Sequence, residues 1–481
     1  MIPPPTANRV PTAEGARTRP RPARRSLKAL VAPVVWDPIR FSLGALMLVS
    51  IAGIHRIVPI LAVFRPGLLL TAVALGCAVA LPKTVNVKDF FTTAPARRVR
   101  LLLIITLVGA PLGLSLGSSM KFFLETYLPN LVFFGLLVVA VRNAGDLRFL
   151  IGSYVTSMLI LVYMSIFVWE MRTFGGFNRV NSTVMYDAND LGAIFALGMP
   201  LALLLGQTSR GWVRWLSFLT AAGGPAAIAL AGSRGGFLSL LATGVTLLIM
   251  LPKVTWMRRI QVVAVAATMV ALVAPPGYLK QMQTITNPGA DYNVTSETGR
   301  VEIWKRGLRN LAPRPITGVG LNNFVRAQWE RQEFTERGAP IQAMSPHNTF
   351  LQIAVDLGVP ALLVFLSIVV GGVFGLARIR SRLPVSWLEE SPTRRFIYLA
   401  CSYIPVSYVG WSVGAFFVSH AYLVPFYALT AFTAGVLVLL RHETRGAAHR
   451  APTKGRRFPA PPQATASVAT AFHSPPPVPH R

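Results

Sequence analysis

Three polar residues stand at the edges of long apolar runs: Arg179 in FNRVNSTVMYDANDLG, Arg234 in AGSRGG and His347 in SPHNTF. Each lies just before a stretch long enough to cross a bilayer. An arginine there keeps its head in water and avoids the roughly 2.5 to 3.5 kcal/mol that the bilayer centre costs on insertion scales. Guanidinium forks match phosphate oxygens, and a neutral imidazole takes a proton from an attacking hydroxyl or amine. Brought together, the three would bind a diphosphate and activate a nucleophile beside it.

That chemistry needs three helix starts to converge. A helix presents free N–H groups and the positive end of its dipole at its N-terminus, which favours an anion. Ser233, Asp187 or Asn189, and Ser345 or Asn348 are of the types that cap such starts, and Pro346 fits an early helical position. Gly235 and Gly236 let another helix or a ligand approach closely. Each residue also has a plainer reading: a lone arginine at a span end anchors in the headgroups, Asn189 and Asp190 cap, and His347 is one of three histidines on this side, with His55 and His420. The coincidence of three sites on one face favours the joint reading.

The elements that would position these residues are membrane helices. Of 481 residues, 53% are hydrophobic and 14% charged, which excludes an ordinary soluble protein. Hydropathy predicts spans near 41–54, 67–82, 101–117, 128–141, 149–168, 189–206, 213–231, 235–251, 260–274, 349–376, 396–419 and 421–440. With the N-terminus inside, the tails and inner loops hold 32 of the 47 Lys and Arg residues, and nine of the other 15 lie in one outer segment, 275–348. This asymmetry predicts that both termini are cytoplasmic.

The expected fold is therefore all-α: a polytopic membrane protein of about 12 transmembrane helices with one large extracytoplasmic loop, 275–348. The net charge of +29 then reflects orientation and attraction to anionic lipid, with no nucleic-acid partner expected. Cys77 and Cys401 sit in apolar runs, where free thiols act as small hydrophobes. Residues 1–40 lack the apolar core of a signal peptide and read, like 441–481, as a disordered basic tail rich in proline. The membrane domain is 41–440. In the loop, TSETGRVEIWKRGLRNL predicts an amphipathic interfacial helix with Val301, Trp304, Leu308 and Leu311 on one face and a Ser or Thr cap. TGVGLN predicts a turn, and FVRAQWERQEFTERG a second polar helix.

Four segments in order, NRVNSTVMYDANDLGAI, SRGG, RVEIWKRGLRNLAPRPITGVGLNNF and PHNTFLQIAVDLGVPALLVFL, resemble the O-antigen ligase and polymerase-like membrane proteins. The resemblance runs from about 170 to 375, with DANDLG in place of the asparagine-proline-asparagine form usual there. It implies transfer of a glycan from undecaprenyl diphosphate to a lipid or glycan acceptor at the outer face of the cytoplasmic (inner) membrane, in lipopolysaccharide or exopolysaccharide synthesis, with no metal or other cofactor. On that resemblance Arg179 and Arg234 hold the diphosphate and His347 activates the acceptor hydroxyl. Arg300 is the loop arginine, and Asn348, Ser233 and Asn189 complete the substrate-binding set. The chemistry agrees, since a diphosphate leaves readily once its charge is neutralised.

Two alternatives accompany this reading. A polymerase would join lipid-linked repeat units at the same site. A transporter or flippase would line a path with Arg179 and Arg234, a view that Asp356, about two turns into the tenth span, favours. Charge at span ends, away from the midplane, favours the transferase.

Overall fold

The computed structural model describes residues 37–450, apart from 175–176, 181–184, 251–254, 288, 290, 332–333, 335–337 and 339. The expected tails at 1–36 and 451–481 lie outside the described residues. Each of the twelve apolar stretches is helical: α1 (Pro38–Met47, extended to Ala52 by a π turn), α2 (Pro66–Ala80), α3 (Ala94–Gly109), α4 (Leu116–Ala140), α5 (Ala144–Val168), α6 (Ala188–Thr208), α7 (Gly211–Ala231), α8 (Arg234–Met250), α9 (Trp256–Val273), α13 (Thr349–Arg382), α14 (Pro392–Ala415) and α15 (Val424–Arg450). Eight of them, α4 to α7, α9 and α13 to α15, are long and apolar enough to cross a membrane. The outer loop contributes α10 (Tyr278–Gln283), α11 (Arg300–Leu311) and α12 (Phe324–Arg331).

Several boundaries differ from the sequence expectation, each for a local reason. Helix α1 starts at Pro38, inside the expected tail, because the Asp37 carboxylate accepts the Arg40 N–H at 3.1 Å. Helix α3 starts at Ala94, with Pro95 in its first turn, and carries Arg97, Arg98 and Arg100 on its polar end. Helix α15 continues ten residues past 440 to Arg450, and its Glu443 pairs with Arg394 at 3.1 Å. The chain is also not purely helical: Met171–Phe174 (β1) and Phe177–Val180 (β2) form an antiparallel hairpin with Arg172 opposite Arg179.

The core is built on α6, whose sequence ANDLGAIFALGMPLALLLGQT is almost entirely buried against α7, α8 and α14. Small residues permit that approach. A Cβ on Gly192 would lie 2.6 Å from the Gly236 Cα, so α6 and α8 touch backbone to backbone at this crossing. Aromatic rings fill the neighbouring layer: Trp411 of α14 and Phe365 of α13 both stack on Phe426 of α15, at 4.6 and 4.5 Å.

The tenth predicted span is not continuous. Helix α13 breaks at Gly358, where φ is 85° and ψ 170°. The outer-loop turn fills the break. Val359 N–H donates to the Pro315 carbonyl, and Val319 and Gly320 N–H donate to the carbonyls of Val355 and Asp356, all at 2.8 to 2.9 Å. Only glycine fits Gly358 and Gly318, since a Cβ would lie 2.1 Å from the Ile316 oxygen and 2.5 Å from the Asp356 oxygen. The Asp356 carboxylate accepts the Phe324 N–H and the Tyr422 hydroxyl, each at 3.0 Å. It is a core hydrogen-bond acceptor that fastens the loop.

Helix α11 forms where expected but turns a different face inward. Ile303, Arg306, Gly307 and Asn310 are buried, whereas Leu308 is exposed and Val301, Trp304 and Leu311 are half-buried. The reason is Gly307, over which Phe324 and Leu351 close, so the helix docks on α12 and α13. Its N-cap is Gly299 with no side-chain cap, not the expected Ser or Thr. The second polar helix spans Phe324–Arg331, and part of its expected continuation lies outside the described residues.

Candidate functional site

Three helix starts are capped by side chains. Gly236 N–H donates to the Ser233 hydroxyl at 3.1 Å, opening α8 directly after the left-handed Gly232. Asp187 caps α6 by accepting the N–H groups of Asn189 and Asp190, while its own N–H donates to the Asp190 carboxylate at 2.9 Å, a reciprocal box. Asn348 caps α13 by accepting from Phe350 and Leu351, both at 3.0 Å. Ser233 and Asn348 thus serve as caps. Asn189 occupies the first turn of α6, and Pro346 precedes α13, outside the early helical position expected of it.

Arg179 packs against the turn between α7 and α8 that leads into Arg234. A Cβ on Gly232 would lie 3.1 Å from the Arg179 Cβ, which places β2 against the residues leading into Arg234. Arg234 opens α8 and is largely covered. Its Nη1 donates to the Thr284 hydroxyl at 2.6 Å and pairs with the Asp291 carboxylate at 2.7 Å. The side chain keeps 18% of its exposure, so the head reaches water only in part. Both contacts use Nη1, so the Nε and Nη2 edge has no partner among the described residues. That edge is the one suited to two-point contact with a phosphate. Burial alone would raise the Asp291 carboxyl, but hydrogen bonds from Asn293 and the Arg234 guanidinium hold it below its ordinary value.

His347 lies in a loop pinned from both sides. Trp304 of α11 donates its indole N–H to the Pro346 carbonyl at 2.8 Å, and the Ser345 hydroxyl faces His347 Nε2 at 3.3 Å. The His347 backbone has φ of 42°, a left-handed conformation that a side chain with a Cβ rarely adopts. Such strain persists only where surrounding structure enforces it, and it clusters at functional sites. Burial depresses the imidazole pKa below its ordinary value and the Arg300 guanidinium adds to this; Asp187 and Asp190 pull the other way. The net effect keeps His347 neutral at neutral pH.

One turn ties the helix starts together. Phe417, just after α14, lies against Gly235, whose Cβ would be 2.8 Å from the Phe417 Cβ. The Arg300 guanidinium sits 6.0 Å from the same ring, and Trp304 packs edge-on against Phe416 at 5.4 Å. Thr349 donates to the Val418 carbonyl and accepts the His420 N–H, at 2.7 and 2.9 Å. His420 Nε2 lies 2.9 Å from the Asp190 carboxylate. The starts of α6, α8, α11 and α13 therefore converge on residues 416–420.

The sequence-predicted residues thus fall into two neighbouring groups, Arg179 with Arg234, and His347 with Arg300, Asn348 and the start of α6. Residues the sequence reading missed are Thr284 and Asp291, while Asp190, Trp304 and His420 entered it only as a cap, as part of an apolar face and as a competing histidine. Nothing local marks Asp291 in NPGADYN, because its partner is 57 positions away. Among the described residues no group of three or more His, Cys, Asp or Glu side chains has the spacing of a metal site.

No curated protein matches the chain. A family model described as O-antigen ligase matches residues 216–366, a segment that carries Ser233, Arg234, Arg300, His347 and Asn348 but not Arg179, Asn189 or His420. That match runs across the starts of α8, α11 and α13, so this stretch of the chain is similar to the O-antigen ligase family.

Proposed function

We propose that this protein transfers a glycan from a polyprenyl-diphosphate-linked donor, undecaprenyl diphosphate being the expected carrier, to an acceptor hydroxyl at the outer face of the cytoplasmic membrane. The observation that carries the reading is His347: strained, held neutral, and beside both Arg300 and the start of α6. In this reaction the acceptor oxygen attacks the anomeric carbon, and its proton passes to His347. The bond from that carbon to the phosphate oxygen breaks, and the electron pair leaves with the polyprenyl diphosphate. Arg179, the Nε and Nη2 edge of Arg234, and Arg300 offset the charge that gathers on the leaving group. Ser233 and Asn348, which cap their helices, and Asn189, in the first turn of α6, frame the substrate.

Twelve spans with both termini cytoplasmic agree with this reading, because all twelve apolar stretches are helical and an even count returns the chain to the side richer in Lys and Arg. The starts of α6, α8 and α13 then lie at the outer surface, where a lipid-linked donor is accessible.

The test is transfer from a purified lipid-linked oligosaccharide in detergent, with and without a chelator, by wild type and His347→Ala. We expect sugar to leave its carrier only with wild type and regardless of chelator. Normal transfer by the variant would remove His347 as the base. Glycan found on a new acceptor identifies a ligase, and lengthened glycan on the carrier identifies a polymerase.

A further inference from the structure

A second basic cleft reaches the residues just before α6, where Met185 and Tyr186 line it. It encloses about 490 Å³ between the end of α1, the start of α2, α4 and the start of α15. Its polar lining includes His55, Arg56, Arg65, Glu125 and Asn130. Tyr186, one residue before the α6 cap, lines the cleft, with its hydroxyl donating to the Ser50 carbonyl at 3.3 Å. Tyr186 is within electrostatic reach of both Arg56 and Asp190, and Asp190 in turn is within reach of His347.

The surroundings are those of a lipid headgroup site. A second hollow of about 480 Å³ shares Arg56, Met185 and Tyr186 with the cleft and is otherwise almost wholly apolar, lined by Leu161, Val168 and Trp169 among others. The rim between α1 and α2 exposes Ile60, Val63, Phe64 and Leu68, each by more than 60%. A patch of that kind beside a polar pocket suits acyl chains. Arg65 caps α2 with a backbone φ of 45°, so the fold accepts a left-handed conformation in a residue with a Cβ to hold an arginine at the mouth.

We propose that this cleft binds the phosphate headgroup of a membrane lipid, with the acyl chains along the adjoining apolar hollow, at a place separate from the donor's diphosphate. Arg56 and Arg65 contact the phosphate. Glu125 opposes net negative charge and so sets a limit on how tightly an anionic headgroup is held. The proposal does not depend on the transfer reaction.

The test is native mass spectrometry of the full-length protein released from phosphatidylcholine nanodiscs containing phosphatidylglycerol. Wild type should retain one phosphatidylglycerol that the Arg56→Gln, Arg65→Gln double variant holds at least tenfold more weakly. Glu125→Gln, which removes the opposing charge, should retain it more tightly, and this arm stands even if the double variant folds poorly. Retention equal in all three proteins, or weakened as much by Arg258→Gln with Arg259→Gln on α9, would overturn the proposal. Displacement of the lipid by inorganic phosphate would make this a soluble-anion site, and displacement by undecaprenyl diphosphate would assign the cleft to the donor; either result overturns it as well.

Discussion

Arg234 at the start of α8 and Asp291 in the outer loop form an ion pair of 2.7 Å that fixes the guanidinium, whose Nε and Nη2 edge has no partner among the described residues. The pair orients the arginine more than it neutralises it. Asp291→Asn should keep the fold and weaken donor use mainly through KM, by several fold, whereas Arg234→Lys should lose at least about tenfold, because a point charge makes no two-point contact. Steady-state transfer kinetics separate the two outcomes. The Asp291 carboxyl is held below its ordinary value, so the pair's contribution is complete above the unfolded carboxylate range and is lost as pH falls through the folded value.

His347 predicts the pH profile. Its folded pKa lies below the ordinary histidine value of about 6.5, so transfer should be flat across neutrality with an acid limb below that point. Replacing Arg300 with Gln removes a positive neighbour and should move the limb upward, apart from any loss of rate. The stability term runs in the same direction: the native state favours neutral imidazole, so its contribution is present above the unfolded value and declines as pH drops toward the folded one. A limb that does not move in the Arg300 variant would count against the two side chains sharing one site.

The strained backbone at His347 makes a separate forecast. With φ at 42°, His347→Gly should melt higher than His347→Ala by about 1 kcal/mol, because glycine adopts this conformation freely. Neither variant should transfer glycan. Equal melting of the two would mean that the loop relaxes when the imidazole is removed.

These predictions show which features are legible in sequence. The helices follow from hydropathy, and residue type narrows the caps to Ser233, Asp187 or Asn189, and Ser345 or Asn348, of which the structure uses Ser233, Asp187 and Asn348. Periodicity also located α11 but misjudged its inner face, because Gly307 adds little to an apolar pattern and yet decides which side docks. The break at Gly358 was hidden inside an unbroken apolar run, since it depends on carbonyls of Pro315 and Asp356 that lie far apart in the chain. The Arg234–Asp291 and His420–Asp190 contacts were hidden for the same reason, as pairings that only the folded arrangement defines.

The crossing of α6 and α8 should be intolerant of any side chain. Gly236→Val would press against the Gly192 Cα and against Ser233, the cap that orders Arg234. Overpacking of this kind costs typically about 1–3 kcal/mol, and here it also displaces the arginine. The expected result is a lower melting temperature in detergent together with lost transfer. Gly244→Ala, on the same helix with no heavy atom within 4 Å of the added methyl, should leave both unchanged.

Asp356 separates transferase from transporter. Both its oxygens are occupied, by the Phe324 N–H and the Tyr422 hydroxyl, and its carbonyl accepts Gly320 N–H, so it fastens the outer loop into the break in α13. Asp356→Asn keeps an acceptor for one donor and should retain most transfer. Asp356→Leu leaves the Phe324 N–H and the Tyr422 hydroxyl buried without partners, at about 1–3 kcal/mol each, and should loosen the loop that carries Arg300 and Trp304. Limited proteolysis of the 275–348 segment together with transfer assays reads both effects. If instead the carboxylate carries protons or ions along a path, Asp356→Asn would abolish function while the loop remains as protease-resistant as in wild type, and the transferase reading would lose its account of the one charged residue buried inside α13.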